Sequence, residues 1–383
     1  MKRNGWMVWG NIAVIIVVII AFYTATSKSS SGINEGTVRS TALSLWVYSP
    51  GWETYVNEYR QQHADIEFDV RYFRSSEQLF DELMASISAN AAPNLAEIHS
   101  FYGISQLVDT GAVVPIRDLS IAERDQFPSV FTLPFHDQNE DWALPIGASM
   151  PLLYYRNELL NKLSLNQFAS WDEVTRAAVK SEADSVVKGP GGIAIDRELP
   201  WYLANMSSSV TTANSIWWDW VHSSKIMKPL HHHKAASDFI NGKVGMFISS
   251  SEMLPTIERY VGGRFAFSSG RMPTLEQAGI IPYIHGMVVM KSSADKIKAV
   301  NSFLSYMTAP TTQASLWHNE GMIPVRSDVV NKLEQELNGS SIRRTIIDSI
   351  PLFHANPPGI NDLDKWTTMQ RLLEQLELDP EKK

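Results

Sequence analysis

The chain has 383 residues, 33 basic against 41 acidic side chains, and no cysteine. A net charge of −8 with no long basic run argues against nucleic acid as a partner. The absence of cysteine excludes disulfides, Cys-ligated metal and a diacylglyceryl-cysteine lipid anchor.

Lys2 and Arg3 are followed by no charge until Lys28, and the apolar run Trp6–Tyr23 fills the gap. At about 1.5 Å per helical residue such a run is long enough to cross a hydrocarbon core of ~30 Å. Residues 1–26 therefore read as a single N-terminal transmembrane helix, with the basic end in the cytoplasm and the bulk of the chain extracytoplasmic. A cleaved signal peptide is the rival reading, with Ala21 and Thr24–Ser27 as small residues at the cleavage site and a secreted or periplasmic product. Residues 27–41 are a polar, flexible spacer. The remainder, roughly 340 residues, exceeds the size at which single cores split, so two lobes are expected.

Order begins near Ala42. Leu43, Leu45 and Val47 mark a buried strand, and Trp52, Tyr55, Val56 and Tyr59 fall at helical spacing. Ile66, Phe68, Val70 and Tyr72 alternate as a second strand. Ser76 opens a capped amphipathic helix through Leu79, Phe80, Leu83, Met84 and Ile87. Leu95–His99 is a third strand, and a helix around Ile104, Leu107 and Val108 stops at Gly111. This β-α-β-α-β alternation implies a parallel sheet covered by helices. Further on, residues 171–180 read as a helix, 192–195 as a strand and 215–222 as a short aromatic helix. Phe239–Ile248 reads as helix end, turn and strand, and Ile297–Met307 as a helix ended before Pro310. Trp217 and Trp220 share one helical face, which suits core packing.

Several segments together carry a resemblance. Ala92-Pro93-Asn94 precedes a strand, Leu144-Pro145 precedes Leu153-Tyr154-Tyr155, Trp171-Asp172-Glu173 opens a helix, and Gly242-Lys243 leads to Met246. Gly321-Met-Ile-Pro324 is followed by Val325-Arg326. In this order they resemble the extracytoplasmic solute-binding proteins of carbohydrate-type ABC transporters, the family of maltose- and glycerol-3-phosphate-binding proteins, over residues 42–375. The resemblance implies an α/β, two-lobed periplasmic-binding-protein fold of type II. Its lobes would be residues 42–147 with 272–321, and 148–271 with 322–383, crossing near Gly147, Arg271 and Gly321.

The same resemblance implies a ligand in the interlobe cleft. Positions that contact ligand in glycerol-3-phosphate-binding relatives fall on Ser76, Ser100, Ser149, Ser250, Gly286 and Met322, with His99 beside Ser100 and His354 in the loop where an anion-holding arginine is missing. Trp52 and Trp201 are candidate platforms for a sugar ring, beside the ordinary role of packed tryptophans. Loss of that arginine disfavours a glycerol phosphodiester and leaves a neutral sugar.

His231-His232-His233 invites a metal reading, but three adjacent histidines cannot converge on one ion from a regular element, and a solvated loop is expected. No nucleophile elbow, phosphate loop or zinc-protease motif occurs, so neither enzyme activity nor a cofactor is expected. The expectation is the binding component of an ABC importer, capturing a saccharide by hinge closure, with permease subunits as partners. The alternative is a membrane-tethered sensor or assembly factor that keeps the fold without a transport role.

Overall fold

The computed structural model describes residues 40–183, 192–274, 279–337, 341–355 and 363–381. The expected membrane segment and all but the last two residues of the expected spacer lie outside them. Among the described residues no helix is long and apolar enough to cross a membrane.

The first unit alternates as the periodicity implied: β1 (Thr41–Val47), α1 (Trp52–Gln62), β2 (Ile66–Tyr72), α2 (Ser76–Ser88), β3 (Leu95–His99) and α3 (Ile104–Asp109). Inward residues Leu43, Leu45 and Val47 are fully buried. Helix α1 starts after Gly51, whose φ of 90° lies in the left-handed region. That conformation favours glycine; the Glu320 carboxylate beside it is the end of a flexible side chain and could move aside for a Cβ. The cap of α2 is Ser75, one residue before the expected Ser76; its hydroxyl accepts from the Gln78 amide.

Strands β4 (Ala143–Ser149) and β5 (Pro151–Arg156) meet at Met150. Then come α4 (Trp171–Ala183), β6 (Ile193–Ile195), α5 (Leu199–Met206), α6 (Val210–Trp218), β7 (Met246–Ser250), α7 (Leu254–Val261) and β8 (Phe267–Arg271). Strand β9 (Tyr283–Val289) is followed by helices α8 (Ala294–Met307), α9 (Pro310–Glu320), α10 (Ser327–Glu336), α11 (Ile342–Ile347) and α12 (Leu363–Leu378).

Two principal sheets result, ordered β2-β1-β3-β9-β4 and β8-β5-β7-β6. The first is mixed rather than purely parallel. Strand β1 pairs parallel with β2 and β3, but β9 is antiparallel to both β3 and β4. The reason is the path of the chain. Strands β3 and β4 end at the boundary between the sheets, whereas β9 starts there after returning from the second sheet, so it must run the other way. Parallel periodicity in the first hundred residues carries no information about a strand that arrives near residue 283.

The chain passes to the second sheet at Met150 and returns between Arg271 and Tyr283. Past Gly321, Ile323 still bridges Ala148 of β4, Arg326 pairs with Glu123, and the Ser327 hydroxyl donates to the Gln126 carbonyl. First-lobe packing thus extends into α10, beyond the crossing expected at Gly321. Helix α11 packs on β8 of the second sheet, and α12 on α5 and α6.

Trp217 and Trp220 are fully buried, as their spacing implied. Trp217 Nε1 donates to Glu377 at 2.7 Å, and the amide of Leu230 donates to the same carboxylate at 2.7 Å. Only part of the histidine run is solvated: His233 is exposed, whereas His231 and His232 are half-buried and bonded. His232 sits 2.9 Å from Glu377, and burial, outweighed by this carboxylate, leaves its pKa raised. His231 pairs with Asp238 at 3.1 Å. This stretch ties the C-terminal helix to the second lobe. Among the described residues no cluster could hold a metal ion.

Candidate ligand cavity between the lobes

Strand β3 places Glu97 at the heart of the first lobe with no exposure at all. A buried carboxylate must be fully hydrogen-bonded, and this one is. It accepts from the backbone amides of Tyr48 (3.0 Å) and Ser49 (3.1 Å), the Ser49 hydroxyl (2.5 Å) and Trp52 Nε1 (3.1 Å). The loop after β1 is therefore moulded onto Glu97. Trp52 is consumed by this arrangement: its indole N–H is bonded and its ring is 3% exposed.

From β9, His285 donates through Nδ1 to Glu97 at 3.0 Å and through Nε2 to Glu252 at 2.9 Å. Donation from both nitrogens requires the imidazolium. Burial opposes that charge, but the carboxylates of Glu252 and Glu97 outweigh it and raise the His285 pKa to about 10. Burial likewise pushes Glu97 upward, and His285 with Ser49 more than reverses it, so Glu97 is held below the ordinary carboxylate value. Glu252 follows β7 of the second sheet, so the chain Glu97–His285–Glu252 joins the lobes. A register shift in the β9–β4 pairing lies beside His285, between it and Gly286, and re-aims the histidine.

Around this link is a cavity of about 300 Å³. The first lobe contributes Tyr48, Ser149, Tyr283 and His285. The second contributes Asp196, Glu198, Trp201, Tyr202, Ser250 and Glu252, with Arg197 also on the wall. Glu320 and Met322 complete it. Trp201 is 1% exposed; its indole N–H donates to the Ile281 carbonyl at 2.8 Å, and its ring lies 5.3 Å from Tyr283. Asn205 donates to that same carbonyl and accepts from the Ile281 amide, which clamps the returning segment onto α5. Burial first, then the charges of Glu77 and Asp196, raise the pKa of Glu198 to about 8.

Of the residues expected at a ligand site, Ser149, Trp201, Ser250 and Met322 line this cavity. The others lie elsewhere, each with a physical occupation. Ser76 bonds the Tyr102 hydroxyl at 2.9 Å. Ser100 extends the β3–β9 pairing through Ile284. His99 accepts the Phe101 amide at Nδ1 and stacks among Tyr102, Tyr283 and Trp366; burial and the charge of His285 hold it neutral. Gly286 faces Phe135, where a Cβ would approach the ring to 2.6 Å. His354 lies against Gly279, beside the Ile280–Phe353 bridge. The cavity residues missed from the sequence are Asp196, Glu198, Glu252, His285 and Glu320. Glu198 stands three residues before Trp201 and His285 lies inside a strand, and single charged residues such as these look ordinary until the lobes are assembled.

A profile of the bacterial extracellular solute-binding proteins matches residues 54–338. The sn-glycerol-3-phosphate-binding periplasmic protein UgpB of Yersinia enterocolitica is 22% identical over 326 residues, covering 73% of this chain and 72% of the relative. Among solved structures, UgpB from Mycobacterium tuberculosis in complex with glycerophosphocholine superposes with a TM-score of 0.75 at 15% identity, covering 88% of this chain and 93% of that one. Maltose-bound MalE3 of T. maritima gives 0.74 at 16% identity, covering 89% and 95%. The structural likenesses establish the two-lobed α/β fold, and the profile match spans most of the chain. The chain belongs to the bacterial extracellular solute-binding protein family.

Proposed function

We propose that this protein is the substrate-binding component of an ABC importer, capturing a saccharide in the cavity between the lobes by hinge closure. The observation that carries the reading is the composition of that cavity: the aromatic side chains of Tyr48, Trp201 and Tyr283 border it beside hydroxyls and carboxylates drawn from both sheets. Aromatic faces suit the apolar faces of a sugar, and the polar groups suit its hydroxyls. Ser149, Trp201, Ser250 and Met322 are the proposed contacts among the residues first expected. Met150 and residues 272–274 and 279–282 are the proposed hinge residues. The protein binds and releases its ligand rather than converting it.

Glycerol phosphates are not the proposed ligand. Arg326 is held by Glu123 and Asp328, Arg343 by Glu258, and Arg344 by Asp348, so none of these replaces the missing anion-holding arginine. Arg197 remains, and it is outnumbered by carboxylates on the same wall. In a titration of mono- and disaccharides, with glycerol-3-phosphate alongside, a saccharide is expected to change tryptophan emission and to compact the protein in solution scattering. Glycerol-3-phosphate is expected to do neither at micromolar concentration. A broad glycan panel without effect on either signal refutes the reading.

The protein is proposed to stay tethered outside the cytoplasm by residues 1–26, next to its permease. The charge-free run of spanning length supports this. Exported protein should fractionate with membranes and begin at Met1; an N-terminus near Thr26 would show cleavage instead.

A further inference from the structure

We infer that the cavity selects a ligand bearing a cationic amine, a basic amino sugar rather than its neutral counterpart, with the ammonium seated against the Glu198 carboxylate. The inference rests on the saccharide-binding reading and narrows it. Four carboxylates line the cavity: Asp196, Glu198, Glu252 and Glu320. Against them stand Arg197 and His285, and His285 is already satisfied by Glu97 and Glu252. Asp196 is served by the Ser249 hydroxyl and the Arg197 amide. The Glu198 carboxylate has no hydrogen-bond or ion-pair partner among the described residues. Opposite, Ser149 is 1% exposed and lines the same cavity, and its hydroxyl also has no partner among the described residues. Two unspent polar groups, one from each lobe, thus line one cavity.

The electrostatics decide which ligand satisfies them. Glu198 faces Glu77 at the start of α2, Asp196 on its own segment, and Glu252 and His285 across the cavity. With its pKa pushed up to about 8, mainly by burial, Glu198 carries a proton at neutral pH in the empty protein. An anion placed here meets the neighbouring carboxylates and the same burial that keeps Glu198 protonated. A neutral sugar leaves those charges unchanged. An ammonium offsets these carboxylates and gives Glu198 a charged partner. Binding should therefore expel the Glu198 proton.

The test is calorimetry on the full-length chain in detergent at pH 6, using two matched pairs: glucosamine against glucose, and the chitosan disaccharide against cellobiose. The amine-bearing member of at least one pair is expected to bind about tenfold or more tighter than its neutral match. Repeating the titration in buffers of different ionisation enthalpy should show release of about one proton. In Glu198→Gln, confirmed as folded by its thermal transition, both the preference and the proton release should vanish while residual sugar binding survives. If glucose and cellobiose both bind as tightly as their amine counterparts, the charge inference is overturned and the saccharide reading stands. If the amine preference persists unchanged in Glu198→Gln, the assignment to Glu198 is overturned. If none of the four sugars binds, the amine inference is overturned, and the saccharide reading stands or falls on the broad glycan panel.

Discussion

Alanine in place of His285 should destabilise the folded chain by about 3–5 kcal/mol, because it strands a fully buried carboxylate without its cation. Glu97 would keep its hydrogen bonds to Ser49 and Trp52 but lose the charge that offsets its burial. The loss reaches beyond the first lobe, since His285 is also the link to Glu252. Chemical denaturation at pH 6.5 measures the effect, and a change below about 1 kcal/mol would refute the ionic account of the link.

The pH dependence separates charge from packing. His285 has its pKa raised from 6.5 to about 10, so its contribution is complete below pH 6.5 and is lost as pH rises through 10. Glu97 is shifted down, so its contribution is present above about 4.5 and is lost on acidification. His99 is also shifted down, and protonation of its unfolded form weakens the fold below about pH 6.5. Between pH 6.5 and 9 the wild type should lose about 2–3 kcal/mol through His285, a loss absent from His285→Gln. Glu198 titrates in the same interval and feels the His285 charge, so the comparison is made in a Glu198→Gln background, where the difference isolates the histidine.

Glutamine in place of Glu198 should stabilise the empty protein by about 1–3 kcal/mol at pH 7 to 8. The folded pKa of about 8 lies above the ordinary 4.5, so native Glu198 costs nothing near pH 4 and increasingly destabilises the fold as pH rises toward 8. An amide of the same shape removes that cost. The lower part of the range applies because the carboxylate opens onto the cavity, where solvent screens it. Melting curves of the two proteins should coincide near pH 4 and separate on the alkaline side. Equal melting temperatures at pH 8 would mean that Glu198 is solvated and its environment ordinary. Stabilisation coupled to weaker amine binding would mark Glu198 as a residue retained for function at the expense of stability.

The stretch from Thr41 to Asp109 was readable from the sequence because its information is local. Alternation in Leu43, Leu45 and Val47, and helical spacing in Trp52, Tyr55 and Tyr59, each occupy a few consecutive positions and follow from the geometry of strand and helix. The family was readable for a related reason: short segments in fixed order survive where overall identity is only 22%. Four of the expected contacts, Ser149, Trp201, Ser250 and Met322, were near enough to such segments to be placed at the cavity. What only the tertiary structure decided is the electrostatics of the site. Glu97 and His285 are 188 residues apart, and Glu252 comes from the other sheet. Nothing in the neighbourhood of any one of them announces the other two. Trp52, Ser76, His99 and Trp201 each spend a polar atom internally, on Glu97, Tyr102, Phe101 and the Ile281 carbonyl, and of the four Trp201 alone also borders the cavity. Whether a polar side chain is spent internally or left facing a cavity depends on what the fold sets opposite it. That is a property of pairs distant in the chain, fixed only when β9 returns antiparallel between β3 and β4.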